Sequence, residues 1–171
     1  QQALTISREK EVGDQISEGR TLTNIGDLFT DWGQYDKAIT SYKSALEIQR
    51  TIGDRPNQGM TLNQLAYVYW YISEYDQALT YQQQALTLNK ATKNRIEEGD
   101  SLIILGLLHN TTGQYEASLA AYQAAQAVHQ EVGYLRGAGG SLNGIGTVYW
   151  NQAKYDQALA AYQASLAIRR E

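Results

Sequence analysis

The chain has 171 residues and carries 14 Lys and Arg against 18 Asp and Glu, a net charge of −4 with both His neutral, which disfavours phosphate backbones and anionic lipid surfaces as partners. It has no Cys, which excludes disulfide frameworks, thiolate nucleophiles and cysteine metal sites together and fits a reducing or an oxidising compartment alike. Its longest apolar run, Leu102 to Leu108, is far short of the roughly 18 residues a membrane helix needs, so no membrane partner is expected; with no targeting signal in the segment, cytoplasmic residence is the default.

The 15 Gly and 13 Tyr have a positional explanation, an internal repeat of 40 residues. Gly13, Gly53 and Gly133 keep that spacing with Lys93 at the missing step, and so do Gly19, Gly59, Gly99 and Gly139. Tyr35, Tyr75, Tyr115 and Tyr155 follow the same period, and Tyr75 to Leu79 recurs unchanged at Tyr155 to Leu159. One array therefore spans 1–171. Residues 1–12 read as the second helix of an earlier repeat, and 13–52, 53–92, 93–132 and 133–171 read as four successive repeats.

In the first repeat, Leu22, Ile25, Gly26 and Phe29 predict a helix that Trp32-Gly-Gln-Tyr35 interrupts, with Gly33 in the left-handed position that stops a helix. Asp36 then opens a second helix, where a carboxylate favours the exposed N–H groups. Gly53-Asp-Arg-Pro56 closes this repeat and starts the next, with Pro56 in a first turn that loses no hydrogen bond. The second repeat places Leu62, Leu65, Ala66 and Tyr69 on one helical face, and its second helix is opened by Asp76. The third breaks at Thr112-Gly-Gln-Tyr115 before Glu116, and the fourth has Asp156 in the same role. Five Gly between Gly137 and Gly146 fall within a helix, at a cost of roughly 3 to 5 kcal/mol relative to Ala, so the last hairpin is expected to be the loosest. Short connections make neighbouring helices antiparallel.

Leu22, Ile25, Gly26, Phe29, Gly33, Tyr35, Ala38, Tyr42 and Ala45, with Leu142, Ile145, Gly146, Tyr149, Tyr155, Ala158 and Tyr162 in the fourth repeat, resemble the tetratricopeptide repeat. The 40-residue period is similar to that of kinesin light chains and many bacterial multi-repeat proteins. The departures are Gln82 where the other repeats have Tyr, His109 for the first-helix aromatic, and Ser118 and Ser165 for Ala. The resemblance implies an all-α, right-handed α-solenoid of four antiparallel hairpins preceded by a partial repeat. It also implies a concave surface, lined by first helices, that holds a peptide or protein segment.

With Leu62, Leu65, Ala66 and Tyr69 as the packing face, Asn63, Tyr67 and Trp70 lie roughly 110° round the same helix, at about 100° per residue. That face is the predicted groove lining, extended by Tyr71 and repeated as Leu107 and Asn110 in the third unit and Asn143, Thr147 and Trp150 in the fourth. Asn can pair with the backbone of an extended peptide, and Tyr and Trp offer large contact areas at low entropic cost. The alternative is that these rings pack against neighbouring helices and the Asn residues form an ordinary solvated face. Relatives that clamp a terminal carboxylate use several inner-face cations, and Arg20 is almost the only one here.

No enzyme chemistry is expected. His109 and His129 lack partners at metal-ligand spacing, the glycine-rich segment fits neither nucleotide fingerprint, and no Ser sits in a nucleophile elbow. No cofactor or metal is expected. Both chain ends fall within second helices without a polar capping helix, which predicts exposed stacking surfaces. That suggests a fragment of a longer array, head-to-tail self-association, or a regulatory arm of a larger protein.

Overall fold

The computed structural model describes the backbone of residues 2–168 and the side chains of residues 11–168. Among these residues there are eight helices and no strand: α1 (Gln2–Asp31), α2 (Tyr35–Ile52), α3 (Arg55–Tyr71), α4 (Tyr75–Ala91), α5 (Arg95–Thr111), α6 (Tyr115–Glu131), α7 (Leu135–Asn151) and α8 (Tyr155–Ile168). No helix is long and apolar enough to cross a membrane. The chain forms two compact units, Gln1–Gln84 and Ala85–Glu171. In the first, α1 packs on α2, and α3 packs on both. In the second, α5 pairs with α6 and α7 with α8, while α7 also packs on α6 and α5.

Each break is a left-handed residue. Gly33, Gly53, Gly113 and Gly133 have φ between 69° and 74°, and the equivalent Ser73, Lys93 and Ala153 adopt φ of 64°, 55° and 56° without being glycine. The amide that follows reaches back five residues, as in Gln34 N to Phe29 O at 2.8 Å and Lys154 N to Tyr149 O at 2.9 Å, which closes the helix end. Asp54 caps α3 by accepting from the amide of Asn57, and Pro56 lies in the first turn. The break expected at Gly13 does not form. Residues 2–31 are one continuous helix, and Gly13 is not among the positive-φ glycines. Forming that turn would give up helical hydrogen bonds, whereas continuing the helix adds one bond per residue.

In the first, third and fourth hairpins a second-helix ring lies against a first-helix glycine. A Cβ on Gly26 would fall under 3.0 Å from the Tyr42 ring, one on Gly146 would meet Tyr162 at 2.6 Å, and Tyr122 presses on both Gly106 and Gly144. Gln82 replaces the ring in the second repeat, and there the small partner is Ala66 rather than Gly. The displaced aromatic, Tyr81, stacks on Tyr69 at 5.2 Å instead. Ser118 and Ser165, in place of Ala, donate to the carbonyls of Gly106 and Gly139 at 2.6 and 2.7 Å and are buried. Helix α7 forms unbroken, with Gly137, Gly144 and Gly146 where rings approach.

Candidate functional site

Helix α3 is buried on most of its circumference: Thr61, Leu62, Asn63, Leu65, Ala66, Val68 and Tyr69 are all buried. The stripe left accessible runs at spacings of three and four residues through Asn57, Met60, Gln64, Tyr67 and Tyr71. Across from it, α1 presents Arg20, Asn24 and Asp27. A cleft of about 400 Å³ lies between the two helices, lined by Ile16, Arg20, Thr23, Asn24, Asn57, Met60 and Thr61.

The floor of this cleft is polar and internally bonded. Thr23 and Thr61 share a hydroxyl contact at 3.2 Å, and Gln49 Nε2 donates to Thr61 Oγ1 at 3.0 Å. Further along, Asp27 Oδ1 accepts from Tyr42 Oη at 2.7 Å and from Gln64 Nε2 at 2.8 Å, which ties α1, α2 and α3 together. Burial, the neighbouring Asp27 and its hydrogen bond raise the Tyr42 phenol above its ordinary value, against the lowering contact from Thr30.

The stripe ends in four rings. Tyr67 stacks on Trp70 at 5.6 Å and 20°, and Tyr35 stacks on Tyr71 at 5.4 Å and 16°. The two stacks cross steeply, with Tyr67 and Tyr71 at 4.8 Å and 82°. Tyr67 Oη and Tyr71 Oη are 3.2 Å apart. Burial, and then the Tyr71 hydroxyl, push the Tyr67 phenol up to about 12. Tyr71 is 44 % exposed, while Tyr67 and Trp70 are half-buried.

The sequence-derived face is therefore corrected at its first member. Asn63 is only 4 % exposed and does not line an open groove. At the equivalent positions of other repeats, Thr23 bonds Thr61, and Ile103 packs on the cluster of Tyr122, Ile145 and Val148. In the second unit, Leu107 is half-buried, and Asn110 accepts from Asn151 Nδ2 at 3.1 Å. Asn143 is exposed, and Thr147 donates back to its carbonyl at 3.1 Å and meets Tyr162 Oη at 3.3 Å. Trp150 is exposed and edge-on to Tyr155 at 5.3 Å.

Sequence reasoning missed Asn24, Asn57, Met60 and Gln64. The positions one helical step from Asn63 and Tyr67 were legible, but the width of the buried arc was not. His109 Nδ1 lies 2.9 Å from Gln114 Oε1, His129 is fully buried, and among the described residues no group of three or more His and carboxylates is gathered at metal-binding distance.

The tetratricopeptide repeat profile matches residues 20–91 and 97–171. No curated protein matches the chain. Among solved structures, BtubC (BKLC) from P. vanneervenii is similar at a TM-score of 0.75 and 19 % identity, covering 89 % of this chain and 63 % of its own. Aspartyl phosphate phosphatase F from Bacillus subtilis gives 0.82 and 19 %, covering 91 % and 41 %. A Rap protein complexed with competence and sporulation factor gives 0.83 and 17 %, covering 90 % and 43 %. The chain thus spans less than two thirds of each of these neighbours, and at such identities the likeness concerns the fold. The profile match extends over most of the chain, and with the helix pairs described above it makes this chain a member of the tetratricopeptide repeat family, a scaffold fold of protein–protein interaction.

Proposed function

We propose that the first unit binds an extended segment of a partner protein along the accessible stripes of α1 and α3. The observation that carries this reading is the cleft of about 400 Å³ with a polar, bonded floor, walled by Arg20 and Asn24 on one side and Asn57 and Met60 on the other. Asn side chains supply a donor and an acceptor to a peptide backbone, Arg20 can hold a carboxylate, and Met60, 39 % exposed, offers an adaptable apolar contact. A structural neighbour is a Rap protein complexed with competence and sporulation factor, so the fold accommodates a bound factor in that protein. Selection of a displayed peptide library on the wild-type chain should enrich binders that are lost on an Asn24→Ala, Asn57→Ala double variant of unchanged helix content. Enrichment that survives the double variant would remove the cleft from the reading.

A second reading, self-association, is favoured by one observation. Trp150, Tyr155, Leu159 and Leu166 are each at least 50 % exposed on α7 and α8. Stacking of these residues on another copy would give concentration-dependent sedimentation, abolished by Trp150→Lys; a concentration-independent monomer would dispose of it.

A further inference from the structure

The structure assigns a ligand class to the aromatic end of the α3 stripe: we propose that Tyr35, Tyr67, Trp70 and Tyr71 dock a proline-rich segment in the polyproline II conformation, with a Lys or Arg beside its prolines. The inference rests on the docking role proposed for the first unit and specifies what its aromatic end recognises.

Three observations support it. The two ring stacks cross at a steep angle, so faces and edges alternate along the platform, the kind of aromatic relief into which pyrrolidine rings settle. Polyproline II has no internal hydrogen bonds, so its carbonyls need outside donors. Tyr67 and Tyr71 share one hydrogen bond, and whichever hydroxyl donates, the other keeps its proton for an external acceptor. Beside the platform, a cavity of about 370 Å³ is lined by Gly33, Gln34, Tyr35, Asp36, Lys37 and Ile72. Its two charges differ in availability. Lys37 is committed, donating to Gln34 Oε1 at 2.8 Å and lying 5.4 Å over the Phe29 ring, whereas the Asp36 carboxylate makes no ion pair among the described residues. A cation flanking the prolines would complement Asp36.

Isothermal titration of the full chain with a synthetic proline-rich peptide bearing one Arg next to its prolines tests the inference, with an otherwise identical peptide in which every Pro is Ala as control. The wild-type chain should bind the Pro peptide about tenfold more tightly than the Ala peptide. Tyr71→Ala should lose about tenfold or more, and Tyr71→Phe, which keeps the ring, about fivefold through the hydroxyl alone. Asp36→Asn should weaken the Arg-bearing peptide and leave one without Arg unchanged. Equal affinity for the Pro and Ala peptides, or binding indifferent to Tyr71→Ala, overturns the proposal. If library-selected segments bind the Asn24–Asn57 cleft while the Pro peptide does not bind, the docking role stands and only the ligand class falls. If neither binds, both fall.

Discussion

Gln49 in the first unit and His129 in the second occupy the same place in the repeat, 80 residues apart, and both are buried. Gln49 spans Thr23 and Thr61 and lies at ordinary contact from Gly19, where a Cβ would be 3.5 Å from its Cγ. His129 is a rigid ring held between α5, α6 and α7: a Cβ on Gly99 or on Gly137 would sit under 3.0 Å from the imidazole. Its Nε2 faces the Ile96 carbonyl at 3.2 Å and Asp100 Oδ1 at 3.4 Å, and Tyr134 meets it edge-on. A flexible amide tolerates a methyl group nearby, whereas a ring in the same slot requires glycine on two neighbouring helices. Tyr122 likewise lies against Gly106 and Gly144, Tyr42 and Tyr162 each lie against one glycine, Gly26 and Gly146, and Ala66 stands at that register where Gln82 replaces the ring.

The largest expected effect breaks this comparison directly. Gly99→Ala should destabilise by about 2 kcal/mol through overpacking against His129, measured by urea denaturation. The equivalent Gly19→Ala should be neutral or stabilising by up to about 1 kcal/mol, because it gains helix propensity without a clash. Equal effects at the two sites would show that the ring is not the constraint.

A smaller difference separates two tyrosines of one register. Tyr42→Phe should cost about 1 kcal/mol, since it removes a partner of Asp27, whose other bond is to Gln64. The Tyr122 phenol is raised above its ordinary value by burial alone and makes no hydrogen bond among the described residues, so Tyr122→Phe should cost nothing measurable. At the turns, Ser73→Gly in the first unit and Ala153→Gly in the second should each stabilise by about 1 kcal/mol in thermal unfolding, because both residues hold a left-handed φ that glycine adopts freely.

The smallest effect is a pH dependence confined to the second unit. Burial by itself would lower the His129 value, but the Asp100 carboxylate and the carbonyls of Ile96 and Gly137 outweigh it and hold it above the ordinary 6.5. A folded value above the unfolded one gives stability that is fully present below about 6.5 and lost as pH rises through the folded value. Stability measured across that window should fall with rising pH in the wild type and stay flatter in His129→Gln.

Much of the architecture was legible from spacing. The positions of Gly33 and Gly113 placed breaks that the structure forms, and Pro56 and Asp36 marked helix starts that are there. Ser73 and Ala153 carry no turn signal of their own, and only their register reveals them. Gly13 carried the signal in the right register, yet the helix continues through it. In the candidate site, Tyr67, Trp70 and Tyr71 were identified as a group, but Asn63 was misplaced and Arg20, Asn24, Asn57 and Met60 were not recognised as one cleft.

The sequence by itself determined that this chain repeats every 40 residues as antiparallel helix pairs, because glycine, proline and apolar periodicity act within a few residues of where they stand. Only the tertiary structure decided which part of α3 stays open. The width of a buried arc depends on how many neighbouring helices press on it, and that number is a property of packing rather than of local sequence.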